Sequence, residues 1–291
     1  MAKLGIILAA GRSSRLYPST LATTKQLLPI YDKPLIYYPL TTLMLAGIRD
    51  FIIIVSPHEH DSFARLFRDA DKEIGINITF LIQQEPTGIA DAFNIVYQYL
   101  EEKIYDYDTH ALILGDNIFY GTYLTGTLQA IDPKKATVFL YPVKNPSEFG
   151  VAVVENDNVI DLEEKPKKAK SNLAVTGLYF YPPSVYLYAR QLTPSPRGEL
   201  EITDLNKMYL KYNLLQGTQF KRGMVWFDTG TPDSMLEASN FIQNIQKHQS
   251  YLIGSPHEIG INSGWVEKRN VIGFIDKCSK TEYGQYLRKL L

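Results

Sequence analysis

Two aspartates in this sequence stand just beyond apolar runs. Asp116 follows Ala111-Leu112-Ile113-Leu114-Gly115, and Asp228 follows Trp226-Phe227 and precedes Thr229-Gly230. A carboxylate past the end of a buried strand can project into a cleft and hold a hard cation such as Mg²⁺. Two are the usual protein share for a magnesium ion that also binds substrate phosphate. Each has a plainer reading as well. Gly115-Asp116-Asn117 is a common turn tripeptide, and Asp228 suits an Asx-turn or helix entry. Residue order alone does not bring the two together.

Cations gather near the start of the chain. The apolar run Leu4–Ala9 gives way to Ala10 and Gly11, then Arg12-Ser13-Ser14-Arg15, with Lys25 further on. Small residues let backbone approach a ligand, and glycine permits φ > 0. Successive free N–H groups on such a turn form a concave anion site. The planar fork of Arg15 suits phosphate oxygens. The stretch reads as a polyphosphate cradle, or else as a tight turn with two solvated arginines. It is not a P-loop, because no Gly-Lys-Ser/Thr closes it. Nor is it a dinucleotide fingerprint: Gly11 stands without the other two glycines, Pro18 follows too soon for a regular helix, and the next strand ends in Ser56-Pro57-His58 rather than an acid.

Other polar residues also sit at element ends. Gln83 closes a strand and Gly88 precedes a helix, so an amide could read a base edge there, or the stretch is an ordinary connection. Lys165 follows Glu163-Glu164 and precedes Pro166; it is a cation for a second anion, with Glu164 bonding hydroxyls, or a charged strand end. Arg197, in Arg197-Gly198-Glu199-Leu200-Glu201, is a phosphate clamp or an exposed helix entry. His58 and His60 lack zinc-pair spacing and have no cysteines beside them, so they receive no role. Cys278 lies among polar residues and is a weak nucleophile candidate.

The elements that must position these groups alternate. Apolar runs at Phe51–Val55 and Ala111–Leu114, the apolar-polar alternation of Ile76–Ile82, and the stretch Thr137–Val143 predict strands. Helical spacing is seen over Pro34–Ala46, Asp61–Ala70, Gly88–Leu100 and Thr122–Ile131, with Gly47 closing the first and Pro39 interrupting it. Such alternation predicts an α/β fold: a Rossmann-like, mostly parallel sheet with helices on both faces. Ligands then sit beyond the carboxyl ends of the strands, where Ala10–Arg15 and Asp116 fall. The pattern next changes to a hairpin, Gly150–Val154 and Val159–Leu162 around Glu155-Asn156-Asp157-Asn158. A charged loop at Lys165–Lys170 follows, then a strand at Leu173–Tyr181 ended by Pro182-Pro183. A helix at Leu200–Lys211 precedes short strands at Gln216–Lys221 and Met224–Phe227. A long helix from Pro232 to about Gln249 comes next. The expected division is a domain over 1–250, with a nucleotide part to about 145 and a smaller β-containing sugar part over about 146–231. A C-terminal appendage with two short helical stretches occupies 251–291.

With 291 residues and 45% hydrophobic residues, the chain can bury a sizeable core. Its net charge of -1 gives no reason to expect a nucleic-acid partner. One cysteine precludes an internal disulfide and fits a reducing compartment. Met1-Ala2-Lys3 leads straight into a strand, so no signal peptide is expected. No apolar run is long enough to span a bilayer. A cytoplasmic protein with no membrane association is expected.

Taken together, the segments resemble the sugar nucleotidyltransferases, and among them the glucose-1-phosphate thymidylyltransferases. The resemblance runs from Lys3 to Leu291. It rests on LAAGRSSRL, KQLLP at 25–29, YDKP at 31–34, GDNIFYG at 115–121 and EEKP at 163–166. It continues through VTGLY at 175–179, RGELEITD at 197–204, WFDTGT at 226–231 and YGQYL at 283–287. It implies a reaction in which dTTP and α-D-glucose 1-phosphate give dTDP-glucose and pyrophosphate, the first step toward dTDP-rhamnose. It implies Mg²⁺ held by Asp116 and Asp228, with Arg15 and Lys25 neutralising the triphosphate. Ala10 and Gly11 would cradle it, and Gln83 and Gly88 would contact thymine. Gly150, Glu164 and Val175 would line the sugar pocket, and Lys165 and Arg197 would bind the sugar phosphate. It further implies a homotetramer inhibited by dTDP-rhamnose at a second site, with the appendage serving assembly and regulation.

The first loop departs from the family's usual Gly-Gly-x-Gly-Thr-Arg. Ser13 replaces a glycine, so φ > 0 there would cost about 1 kcal/mol, and Arg12 is an extra cation without an assigned role. Two rivals stay open. A uridylyltransferase differs by one methyl group on the base, worth about 1–3 kcal/mol of discrimination. A catalytically silent nucleotide-sugar sensor would have no need of the paired aspartates.

Overall fold

The computed structural model describes residues 2–291. β1 (Lys3–Ala9) leads through 3-10 turns at Ser14–Leu16 and Lys25–Leu27 to a small hairpin, β2 (Pro29–Ile30) with β3 (Lys33–Pro34). α1 (Tyr37–Leu45) carries Pro39 in its first turn, where backbone donors have no intrahelical partner to lose. Gly47 ends that segment at φ +81°. β4 (Asp50–Val55) follows. The helix expected over 61–70 forms as two pieces, α2 (His60–Leu66) and α3 (Ala70–Glu73), parted at Phe67–Asp69. After β5 (Asn77–Ile82), α4 (Asp91–Leu100) starts three residues later than its spacing predicts, since Gly88 takes φ +112°.

β6 (Thr109–Leu114) stops at Gly115-Asp116, and β7 (Asn117–Tyr120) begins at once. α5 (Leu124–Gln129) and β8 (Ala136–Pro142) precede the expected hairpin, β9 (Gly150–Glu155) and β10 (Asn158–Glu164). Its two tip residues, Asn156 and Asp157, both have positive φ, as a type I′ turn requires. β11 (Leu173–Tyr181) is followed by α6 (Val185–Ala189), which the sequence reading lacked, and by α7 (Ile202–Lys211). β12 (Leu215–Gln219), β13 (Val225–Asp228) and α8 (Pro232–Gln249) complete the part that carries the site. The last stretch holds three short helices where two were expected: α9 (Pro256–Asn262), α10 (Lys268–Lys277) and α11 (Glu282–Arg288).

The main sheet runs β10–β9–β11–β6–β1–β4–β5, with β8 joining β11 to β12. β6, β1, β4 and β5 are parallel, whereas β11 enters antiparallel to β6, β8 and β9. The parallel half is the Rossmann-like sheet the alternation predicts; β8, β9, β10 and β11 form an antiparallel half beside it. Successive residues of one strand feed opposite cores. In β4, Phe51, Ile53 and Val55 pack on one face, and Ile52 and Ile54 on the other. That two-sided burial is why these strands read as unbroken apolar runs. Ile261, Val271, Ile275, Tyr283 and Leu287 form a separate cluster among the terminal helices. Among the described residues, no helix is long and apolar enough to cross a membrane.

A two-stranded ribbon stands apart from this sheet. β7 pairs antiparallel with β13, setting Asn117 opposite Asp228 and Phe119 opposite Trp226. Sequence spacing predicts neither β7 nor this pairing, which joins segments about a hundred residues apart.

Candidate active site

The β7–β13 ribbon brings the two aspartates together. Asp116 immediately precedes β7 and Asp228 ends β13. The Thr229 N–H and hydroxyl both donate to the Asp116 carbonyl oxygen, at 3.1 and 2.7 Å, tying the two strand ends to each other. Lys25 Nζ donates to Asp116 Oδ2, and both groups are largely buried. The amide of Asn117 donates to Asp116 Oδ1 at 3.0 Å.

The carboxyls respond in opposite directions. Burial by itself would raise that of Asp116, but the Lys25 charge and the bonds from Lys25 and Asn117 outweigh it and hold the group below its ordinary value. Burial pushes the Asp228 carboxyl up to about 6, and the negative charge of Asp116 adds to the rise. Lys25, Arg15 and Lys165 pull the other way without cancelling it. One acid is therefore compensated and its neighbour is not, an arrangement that a divalent cation would relieve. The donor set is two hard carboxylates with no histidine or thiolate beside them. It suits Mg²⁺ that completes its shell with water and phosphate. No cluster of three or more acidic, histidine or cysteine side chains suited to a metal occurs among the described residues.

Arg15 reaches the same place from the first loop. A Cβ on Gly230 would lie 2.8 Å from Arg15 Nη2 and 3.3 Å from Asp228 Oδ1. The absence of a side chain at Gly230 is what lets the guanidinium lie beside the acid. Arg15, Asp228 and Gly230 share the wall of an open groove of about 700 Å³. The loop's left-handed residue is Ser13, at φ +51°, where the family pattern carries glycine, and its hydroxyl donates to Gly11 O at 3.3 Å. Gly11 itself does not need positive φ. Its Cα faces open space, leaving the backbone free for a ligand to approach.

Ala10 and Gly11 line a cleft of about 610 Å³ whose opposite wall includes Gln83, which is buried. Gln83 Nε2 donates to Thr87 Oγ1 at 3.4 Å and Asp91 Oδ2 at 3.3 Å, which orients its amide. Arg12, the extra cation, donates to Glu85 Oε2 at 2.6 Å across the mouth of this cleft. Gly88 lines neither this cleft nor the sugar cavity described next. The close approach anticipated for it goes to the chain itself: a Cβ there would be 2.5 Å from Leu200 N and O.

A second cavity, of about 150 Å³, collects Gly150, Glu164, Lys165, Val175, Arg197 and Asp228. Here the expected sugar-phosphate residues meet an expected metal ligand. Glu164 Oε2 accepts from Thr203 Oγ1 at 2.5 Å, and Glu164 Oε1 accepts from Arg197 at 3.3 Å. A Cβ on Gly150 would sit 3.1 Å from Thr203 Oγ1 and 3.2 Å from Glu164 Oε2, so glycine keeps this corner open. Lys165 holds φ +42°, a strained conformation for a lysine, fixed by its N–H donating to Phe149 O at 3.1 Å. Arg197 is less free than expected: Glu201 holds its guanidinium at 2.9 Å from both oxygens, with Glu199 at 3.6 Å. Thr203, Glu201, Asn117 and Gly230 are the site residues the sequence reading left without roles. All four lie inside the quoted motifs, but only the fold shows what they touch.

The model of the nucleotidyl transferase family matches residues 4–245. The chain is 47% identical to the glucose-1-phosphate thymidylyltransferase of Neisseria meningitidis over 290 residues, 99% of each chain. It is 44% identical to that of Mycolicibacterium smegmatis over 289 residues, 99% of this chain and 98% of the relative. A crystal structure of a Bacillus anthracis protein described as a glucose-1-phosphate thymidylyltransferase, in complex with sucrose, superposes with a TM-score of 0.75 at 36% identity. It covers 88% of this chain and 99% of that one.

Proposed function

The chain belongs to the nucleotidyl transferase family, and we propose that it transfers the thymidylyl group of dTTP to α-D-glucose 1-phosphate, giving dTDP-glucose and pyrophosphate. The observation that carries this reading is the meeting of Asp116 and Asp228 beside Lys25 and Arg15, with a sugar-sized cavity opening onto Asp228.

The chain's own residues do mostly positioning and charge work. Gln83 presents its fixed amide to the thymine edge. Gly11 leaves room for the triphosphate, and Lys25 and Arg15 offset the charge that grows on it as the sugar phosphate oxygen attacks the α-phosphorus in line. Glu164 accepts from sugar hydroxyls, oriented by Thr203. Lys165 meets the phosphate of glucose 1-phosphate. Arg197, released from part of its carboxylate cage, meets it from the other side. Asp116 and Asp228 would hold Mg²⁺, which would supply Lewis-acid charge for the transfer.

The wider reading is a cytoplasmic homotetramer regulated at a second site by dTDP-rhamnose, with 251–291 as the assembly and regulatory appendage. A cavity of about 340 Å³ between α1, β7 and the segment 252–263 supports a ligand site there. The test of function is pyrophosphate release with Mg²⁺ and glucose 1-phosphate, comparing dTTP with UTP. Faster release from dTTP is expected. Preference for UTP would make the chain a uridylyltransferase, and no release with either nucleotide would leave it a binding protein.

A further inference from the structure

Asn117 is almost fully buried and makes contacts that sheet pairing does not require. Its Oδ1 accepts from the Gly177 N–H at 3.1 Å and from the Trp226 indole N–H at 2.6 Å. With two donors on that oxygen, the amide has one remaining direction for its NH₂, which donates to Asp116 Oδ1. Turned over, the amide would face N–H against N–H and oxygen against carboxylate.

Two features of the fold exist at this point to make room for it. β11 pairs with β8 at Val175↔Leu140 and resumes at Tyr179↔Val138, so three residues of β11 oppose one of β8. This bulge re-aims the Gly177 N–H out of the ladder toward Asn117. At Gly177 a Cβ would fall 2.6 Å from Asn117 Oδ1, so the contact demands glycine. Trp226 stands on β13, two residues before Asp228, and its indole reaches across the ribbon.

We propose that Asn117 is a positioning residue for the aspartate pair: Gly177 and Trp226 fix its amide, and the amide fixes Asp116. This deepens the reading of the site as a magnesium-dependent nucleotidyltransferase and rests on it for the identity of the metal. Asn117 thereby ties β7, β11 and β13 together, and both the floor of the sugar cavity and the strand bearing Asp228 bear on the orientation of Asp116. Outer-shell partners of this kind change metal affinity or activity by about 10–100-fold when removed.

The test is Mn²⁺ binding to the full chain without substrates, followed by the electron paramagnetic resonance signal of free Mn²⁺. Wild type, Asn117→Ala, Trp226→Phe and Asp116→Asn are compared, with near-ultraviolet circular dichroism reporting the fold. Asn117→Ala should weaken Mn²⁺ binding about tenfold or more while keeping a native spectrum. Trp226→Phe, which removes one of the two donors and leaves Asn117 in place, should weaken it severalfold. Should Asn117→Ala fail to fold, Trp226→Phe decides the matter. A Mn²⁺ affinity equal to wild type in a folded variant overturns the proposal. So does a wild-type chain that binds no Mn²⁺ sensitive to Asp116→Asn. Because binding is read without turnover, a chain that binds Mn²⁺ as expected yet releases no pyrophosphate would sink the proposed reaction and leave the role of Asn117 standing.

Discussion

Replacing Asp228 with asparagine should abolish turnover and at the same time stabilise the metal-free protein. Its carboxyl is pushed up to about 6, first by burial and then by the charge of Asp116. An aspartate whose carboxyl rises on folding stays protonated in the folded chain over a range where the unfolded chain has already ionised. Stability therefore falls as pH climbs from about 4 to about 6, and stays at the lower level above that. Two pH units at about 1.4 kcal/mol each come to roughly 3 kcal/mol of destabilisation at neutral pH. The amide of asparagine has nearly the same shape and never ionises. At pH 7.5, without metal, the variant should melt higher by roughly 5 °C for a chain of this size. The gap should close toward pH 4.5, where both side chains are neutral. Adding Mg²⁺ should raise the wild-type midpoint more than the variant's, since binding to the folded state alone stabilises it. The assay is a thermal melt at pH 4.5, 6 and 7.5 with and without Mg²⁺. A variant that melts no higher than wild type at pH 7.5, or by the same margin at pH 4.5, would refute the reasoning.

Gly230→Ala would put a methyl group 2.8 Å from Arg15 Nη2. The guanidinium end can swing away, so kcat should fall about tenfold or more with the melting point nearly unchanged; steady-state kinetics beside a melt checks both. Lys165→Ala should raise KM for glucose 1-phosphate at least tenfold with little change for dTTP. If the dTTP constant alone moved, the two anion sites would be exchanged.

What the sequence makes legible here is local. Ile6, Ile7 and Ile52–Val55 are apolar on both faces, so their strands announce themselves, and the Asn156-Asp157 hairpin tip is written in turn chemistry. α8 begins at Pro232 behind a reciprocal cap between Thr231 and Ser234, a start signal carried by adjacent residues. The illegible parts depend on distant partners. Residues 117–120 become a strand because residues 225–228 lie against them. α6 forms where Val185, Tyr186 and Ala189 find buried neighbours, although the double proline before it suggests a loop. The segment 61–70 has helical spacing throughout but breaks where Phe67 and Ala70 turn into the core. In the site, the acids and cations can be nominated from residue type and motif. The carboxylate cage around Arg197 and the use of Gly88 as a seat for Leu200 require coordinates.

Both aspartates of the site sit at one end of one ribbon, cross-linked by Thr229, while Glu164 ends β10 and Lys165 follows it. A shift of β9 or β10 that widens or narrows the sugar side need not disturb the Thr229 cross-link between the acids, whereas a shift of β11 reaches Asp116 through Gly177 and Asn117. Exchange of one sugar for another over evolutionary time can be worked on β9, β10 and α7 without rebuilding the phosphoryl-transfer centre.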